Sequence, residues 1–575
     1  MMADLLRRDT ARRSRTGSLW LLVIAAVLFA LPGLAAPAPG KSAIASAHPL
    51  ATAAGMEVLA RGGNAFDAAV AVSAVLAVVE PNGSGMGGGG FYLLHRASDG
   101  RQVVVDAREV APAAATRDMY LDSAGIPVAG LSTRHAKAAG IPGEPAGWQH
   151  LAKNYGRLPL AASLEPAIRL ARKGFVLDNR MQDDLARALE DEELAGNASS
   201  EFARIFLVKG QAPPAGHRLK QPELARSLEV LAKGGADAFY RGPFAHTLVQ
   251  GVQSLGGIWS VEDLAGYGVL EREPIVATYR GLRVVSAPPP SSGGVWLASV
   301  LNVLAGYDLG QVDSVTRKHI ILEAMRRAHR DRAQYLGDPA FTDVPVRLLT
   351  SPDYAAGLRA SIRTDRATPS DQLPGYVNAG GQGAHTTHFS VLDTEGNRVG
   401  GTITLNGWFG TGIAVPGTGI LLNNQMDDFA MKPGVPNMYG LVGAEANAIA
   451  PGKRPLSSMA PTFVEGERGV AIMGTPGGSY IPSMLLLGIL NWSAGADARA
   501  IVAAPRLHHQ YRPDRVFAEP GALTAGEQAG LEQRGHEVGA WPATIGNMHV
   551  VTWDFATGKV DAASDPRWGG AAAVR

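Results

Sequence analysis

The chain has 575 residues, 46% of them hydrophobic and 18% charged, enough for one large core or several smaller ones. Its formal net charge is +1 and it contains no cysteine. No basic excess points to nucleic acid or an anionic membrane as a partner, and without cysteine neither a disulfide framework nor a thiol nucleophile is available.

Taken in chain order, the first 36 residues stand apart. A basic stretch, RRDTARRSR, precedes an apolar run from Leu19 to Leu31, and small residues follow as far as Ala36. This order predicts a cleaved export signal over 1–36, and a periplasmic or secreted protein; the run falls short of the ~20 apolar residues that a spanning helix needs. An anchor left uncleaved is the alternative. Losing the segment removes five arginines and two aspartates and takes the net charge to −2.

From Ser46 to about Glu80 the apolar spacing predicts helices, with Asn64 or Asp67 capping AFDAAVAVSAVLAVV, which is apolar nearly all round and should be buried. NGSGMGGGGFYLL matches G-x-G-x-x-G, but no strand precedes it and no Lys-Ser/Thr follows, so it reads as a tight turn into a strand. Strands are expected at 90–95 and 102–107, and mostly helices over 146–240, where the acidic run EDEEL at 190–194 reads as a solvated helix face. PPPSSGG at 288–294 reads as a rigid loop, and 320–337 as a helix. Residues 363–384 are polar and glycine-rich and read as an exposed linker, open to cutting. After Thr386 the chain is expected to be strand-rich.

At that point TTHFSVLD, TEG and NRVGGTITLN read as a hairpin. A loop of Thr394, Glu395 and Gly396, with glycine in the left-handed position, pairs Asp393 with Asn397 and therefore Thr386 with Thr404. Alternation then puts Thr386, His388, Ser390, Thr402, Thr404 and Asn406 on one polar face. Thr387, Phe389, Val391, Val399, Ile403 and Leu405 share the other, apolar face, expected to pack on helices. A sheet with one wet, inert polar face would show the same alternation. The clustered hydroxyls, placed directly after a cuttable linker, suggest more. Cleavage before Thr386 would free an α-amine with a pKa near 8, able to act as base for that residue's own hydroxyl.

These motifs, together with GGNAFDAAVA, DAREVAP, LNNQMDDFAMKPGVPNMYGLVG, KRPLSSMAPT, GTPGGS and ASDPR, strongly resemble the gamma-glutamyltransferase (glutathione hydrolase) family, from about Ser46 to Arg575. The resemblance implies an α+β, four-layer αββα sandwich of the N-terminal nucleophile hydrolase type. It implies a precursor that cuts itself between His385 and Thr386 into a large subunit, 37–385, and a small subunit, 386–575, which form one folded unit. Thr386 would be both cleavage agent and nucleophile, supported by Thr404, with Gly477 and Gly478 as oxyanion hole. Arg108, Ser457 and Ser458 would hold a substrate α-carboxylate. Asp428, helped by Asn406 and Gln425, would hold the α-ammonium, and Tyr439 would tip a lid loop. Glutathione and other gamma-glutamyl compounds would be donors, water or amino acids acceptors. No cofactor is implied.

Taken singly, several of these residues have plainer readings: Arg108 as a surface ion pair, Ser457 and Ser458 as a helix cap, the glycine pair as a turn, Tyr439 as loop packing. His508 and His509 are adjacent, so they point to opposite faces of a strand, and no carboxylate spacing accompanies them. They read as structural and not as a metal pair. Trp408 departs from the family pattern and bears on acceptor preference. Two rivals remain: a glutaryl or cephalosporin-type acylase of the same fold, and a non-catalytic periplasmic binding protein using the same clamp.

Overall fold

The side-chain alternation of residues 386–406 sets the hairpin at the centre of the molecule. In the computed structural model, which describes residues 38–191, 194, 200–373, 386–541 and 545–575, the strands Thr387–Leu392 and Arg398–Thr404 pair antiparallel. Leu392 lies opposite Arg398 and Thr387 opposite Ile403. Gly396 takes φ +94°, and the Asp393 N–H donates to the Asn397 carbonyl at 3.1 Å. This is the register expected from a three-residue loop with a left-handed glycine. The export segment 1–36 and His385 lie outside the described residues.

The hairpin sits inside a seven-stranded antiparallel sheet. Its order is Ala571–Val574, Ala43–Ser46, Thr387–Leu392, Arg398–Thr404, Gly89–Arg96, Arg101–Ala107, Leu270–Arg272. A second antiparallel sheet runs Val560–Ser564, His549–Asp554, Gly469–Gly474, Thr462–Gly466, Leu282–Ser286, Ile275–Tyr279. Both sheets draw strands from either side of Thr386.

Phe389, Val391, Val399, Ile403 and Leu405 bury the outer face of the first sheet against helices that include Pro49–Ala60, Ala65–Val79, Leu160–Lys173 and Pro222–Tyr240. Every residue of Ala65–Val79 is buried. Asn64 and Asp67 close its start as a capping box, so both candidate caps act together. On the inner face Ala43, Phe91, Leu93 and Val104 meet Phe463, Ile472 and Val550 of the second sheet. The helices Gly293–Ala305, Ser314–Tyr335 and Ile481–Ser493 cover that sheet's far side. The architecture is the four-layer αββα sandwich.

Several expectations need correction. The polar face of the hairpin is not wet. His388, Ser390 and Thr402 are fully buried between the sheets, where His388 Nδ1 meets Thr402 Oγ1 at 2.8 Å and Ser390 Oγ donates to the carbonyls of Ile472 and His549. Ser46, where the helical reading begins, instead ends the strand Ala43–Ser46, which is paired on both edges, and the helix starts at Pro49. Within the expected linker, Ser370 is buried, held by Arg326 Nη1 and by Asp514. In the acidic run, Asp191 pairs with Arg134 at 2.7 Å and Leu194 is buried, so it is not simply a solvated face. No strand of either sheet lies between Thr404 and Thr462. That long irregular stretch carries much of the site described next.

Candidate active site

Ten of the residues singled out in the sequence line one cavity of about 300 Å³: Arg108, Thr386, Thr404, Asn406, Gln425, Asp428, Tyr439, Ser457, Ser458 and Gly478. Gly477 adjoins it in the chain without lining it. Arg332, Leu441, Met459 and Ile481 complete the wall.

Thr386 stands at the head of the central strand Thr387–Leu392, and its Oγ1 lies 3.2 Å from Thr404 Oγ1. Thr404 Oγ1 also accepts the Asn406 N–H at 2.8 Å. Asn406 follows the end of its strand in a left-handed conformation, φ +75°, which Asn tolerates better than most residues. A turn, and not strand alternation, thus brings it to the cavity. Its Nδ2 donates to the Asn424 carbonyl at 3.0 Å.

The short 3₁₀ turn Gln425–Asp428 aims Asp428 at Arg108, and the two form an ion pair. Gln425 Nε2 donates to Asp428 Oδ2 at 3.0 Å. Arg108 leaves the end of the strand Arg101–Ala107, is fully buried, and donates from Nε to the Pro455 carbonyl at 3.2 Å. It is no surface ion-pair residue.

Ser457 is held by the PPPSSGG loop: its N–H donates to Pro290 O at 2.7 Å, and its carbonyl accepts from both N–H and Oγ of Ser292 at 2.8 Å. Its own Oγ accepts the Met459 N–H. The plainer helix-cap reading of this pair does not hold, because no helix starts at Ser457 or Ser458.

Gly477 and Gly478 have φ of +141° and +53° and lead through a 3₁₀ turn into the helix Ile481–Ser493. A Cβ on Gly478 would sit 2.7 Å from the Tyr439 ring. Tyr439 is buried and its hydroxyl donates to the Asn406 carbonyl at 2.8 Å. The preceding Met438 N–H donates to Asp427, whose carboxyl burial pushes up to about 7.

Arg332 is the residue that reading the sequence missed. It projects from the helix Ser314–Tyr335, is buried, and donates from Nε to Ser292 Oγ at 3.3 Å. Burial lowers its pKa to about 10 despite the attraction of Asp428. Its only sequence signal is an arginine near the end of the helix expected over 320–337. Glu109, beside Arg108, is also buried; neither carboxyl oxygen has a hydrogen-bond partner, and desolvation raises its pKa to about 8. His508 bridges Ser483 and Gln510, and His509 meets Asp514 at 3.2 Å. Among the described residues no group of three or more acids and histidines could hold a metal, and no helix is long and apolar enough to cross a membrane.

A hydroxyl at the head of a central strand in an αββα sandwich is the arrangement of the N-terminal nucleophile hydrolases. Comparison with known proteins gives the particular family. The sequence model described as Gamma-glutamyltranspeptidase matches residues 51–575. A glutathione hydrolase proenzyme from Escherichia coli is 42% identical over 91% of this chain and 90% of its own length. One from a Pseudomonas species is 45% identical over 87% of each. An acylase ACY 1 proenzyme, also from Pseudomonas, is 38% identical over 90% of this chain and 91% of its own. Among solved structures, a cephalosporin acylase from Bacillus halodurans superposes with TM-score 0.81, 28% identity and coverage of 93% and 96%. A Helicobacter pylori gamma-glutamyltranspeptidase structure gives TM-score 0.55 at 40% identity, covering 59% of this chain and 97% of that one. The chain belongs to the gamma-glutamyltranspeptidase family. It is a gamma-glutamyl hydrolase and transferase, made as a precursor that is processed into subunits.

Proposed function

We propose that Thr386 is the nucleophile of both self-cleavage and turnover. In cleavage its Oγ attacks the His385 carbonyl carbon, the peptide C–N bond breaks, and water hydrolyses the resulting ester. The α-amine of Thr386 is thereby freed. In turnover that amine takes the hydroxyl proton while Oγ attacks the γ-carbonyl of glutathione or a related donor. The N–H groups of Gly477 and Gly478 receive the developing oxyanion; a donor of this kind is typically worth ~3–4 kcal/mol. The proton passes to the departing amine, leaving a threonyl ester that water or an acceptor amine resolves.

The observation that carries this reading is the coincidence of Thr386 Oγ1 with the Arg108–Asp428 pair in one cavity. A gamma-glutamyl α-centre presents a carboxylate and an ammonium on the same carbon. It can take Arg108, with Ser457, Ser458 and Arg332, for the first, and Asp428, with Gln425 and Asn406, for the second. Tyr439, packed on Gly478, closes the cavity. Residues 1–36 direct export to the periplasm or the medium.

The test is a denaturing gel of the purified protein beside a Thr386→Ala control. Scaling 60.1 kDa by length, the unmutated protein should give bands of about 36 and about 20 kDa, and the control one uncut band. An uncut unmutated protein that still turns over gamma-glutamyl anilide would overturn Thr386 as an N-terminal nucleophile. Hydrolysis of a glutaryl anilide in preference to the gamma-glutamyl one would move the function to the acylases.

A further inference from the structure

Gln510 lines no wall of the cavity, yet it bonds to two of the pieces that form it. The residue is buried and lies just beyond the short strand Leu507–His508. Its neighbours fix which way the amide points. Nε2 faces the carbonyls of Tyr439, at 3.3 Å, and Arg512, at 3.0 Å, and a carbonyl can only accept. The amide oxygen therefore lies on the other side. There Ser479 Oγ donates to it at 2.7 Å, and His508 Nε2 stands 2.9 Å away. His508 accordingly carries its proton on Nε2, and its Nδ1 accepts from Ser483 Oγ at 2.8 Å. Both amide hydrogens and both lone pairs of Oε1 are used, so the side chain has one orientation.

The two pieces it joins are the ones that meet at Gly478. Ser479 is the next residue in the chain, inside the 3₁₀ turn Gly478–Tyr480, and the Tyr439 ring packs on Gly478. One amide thus ties the hydroxyl one residue past Gly478 to the backbone carbonyl of Tyr439. The Tyr439 hydroxyl holds the far end of the same ring to the Asn406 carbonyl, and His329 Nε2 meets the Ser479 carbonyl at 3.4 Å. The base of the amide is anchored as well. Tyr511, next in the chain, has φ +70° and donates from its hydroxyl to Leu373 O at 3.2 Å, and Asp514 accepts the Ser370 N–H at 2.7 Å.

We propose that Gln510 is a positioning residue for the reaction. Through Ser479 it holds the Gly478 N–H where the oxyanion develops, and through the Tyr439 carbonyl it holds that ring over the cavity. It touches neither substrate nor reacting atoms. An oxyanion donor works only over a few tenths of an ångström, so the turn that carries it needs a fixed strut. The proposal rests on Thr386 as nucleophile and Gly478 as oxyanion donor.

The two arms can be cut separately, and they have different kinetic signatures. The oxyanion exists only in the transition state, so its arm should act on kcat; the Tyr439 arm encloses bound donor and should act on KM. Rates on a gamma-glutamyl anilide are taken per cut small subunit on a denaturing gel, so that loss of folded protein does not count. Ser479→Ala cuts the first arm and should lower kcat about 10-fold with KM within about 2-fold. Gln510→Glu keeps an acceptor for Ser479 and His508 but sets an oxygen against the Tyr439 carbonyl. It should raise KM about 3-fold or more while sparing kcat. Gln510→Met keeps the length, loses both arms, and should show both effects. Adding Ser479→Ala to Gln510→Met should lower kcat by no more than a further ~2-fold, because both cut one arm. If one variant fails to fold, the others still separate the arms. The assignment is overturned by kcat and KM per cut subunit within about 2-fold of the unmutated enzyme, by the same kinetic pattern in Ser479→Ala and Gln510→Glu, or by fully multiplicative losses in the double variant. Those results leave the Thr386 reading standing; an unmutated enzyme that turns over uncut would sink that reading instead.

Discussion

Gly478→Ala puts the proposed oxyanion wall to a direct test. The new Cβ would meet Tyr439 Cδ1 at 2.7 Å, Cε1 at 2.9 Å and Cγ at 3.2 Å. The ring cannot simply swing aside, because its hydroxyl donates to the Asn406 carbonyl and the Tyr439 backbone N–H donates to Asn437 Oδ1. At φ +53° an alanine also incurs ~1–2 kcal/mol of left-handed strain. Relief of the clash needs a movement of roughly 1 Å, and a displacement of that size near the reacting atoms costs about 100-fold in rate. The expected result is a fall of about 100-fold in kcat/KM for a gamma-glutamyl anilide, with the partner substitution Tyr439→Ala returning part of it. The double variant should then show a coupling of ~1–2 kcal/mol in a double-mutant cycle, leaving the backbone strain as the residue. Activity of Gly478→Ala within a few-fold of the unmutated enzyme, or purely additive losses in the double variant, would refute the account.

Arg332→Met removes a buried cation from the wall of the cavity, at the end proposed to hold the α-carboxylate. The loss of a charged hydrogen-bond partner, ~1.5–3 kcal/mol, should raise KM for the anilide about 10-fold or more, with kcat less affected and Arg332→Lys partly restored. Glu109 gives a pH dependence. Burial raises its pKa from an ordinary 4.5 to about 8, so between those values the folded chain holds a proton that the unfolded chain has released. This group's contribution to stability is present at low pH and declines as pH rises toward 8, by ~1.4 kcal/mol per unit. Glu109→Gln should flatten the slope of the melting temperature against pH over that window; an unchanged slope would mean that Glu109 is ionised in the folded protein.

Local pattern made the hairpin legible, because its turn type, its alternation and its hydroxyl pair all depend on neighbouring residues. Register followed from the turn, and the first-sheet core followed from register. The strand Ala43–Ser46 went unread because four residues are too few to show a period, and its form is decided by partners on both edges. Most of the cavity could be read because its residues sit in contiguous motifs, DAREVAP, QMDDF, PLSSM and TPGGS, whose turns project side chains without long-range help. Arg332 and Gln510 carry no such mark. One stands on a long helix among other arginines, the other just beyond the strand Leu507–His508, and only tertiary packing brings them to the site.

On the proposed substrate clamp, the ion pair between Arg108 and Asp428 accounts for the choice of donor. Arg108 is fully buried, the Asp428 side chain is 10% exposed, and the two are bonded to each other, so an entering gamma-glutamyl end exchanges one salt bridge for two and leaves neither charge alone. A glutaryl group offers the carboxylate without the ammonium. It can take Arg108 only by stripping Asp428 of its strongest partner, leaving a largely enclosed carboxylate with Gln425 and a long contact from Asn437 at 3.5 Å. A simple alkyl amide with neither charge leaves the pair intact but gains nothing from it. A site whose polar groups are matched by the right ligand, and stranded by the wrong one, discriminates far more strongly than an apolar pocket does, by ~10⁴-fold where the stranded group is buried. Asp428→Asn is therefore the substitution that should narrow the gap between this enzyme and its acylase relatives. It should lose most of its activity on the gamma-glutamyl anilide while its activity on the glutaryl anilide holds or rises. A parallel loss on both would show that Asp428 serves the fold of the site and not the choice of substrate.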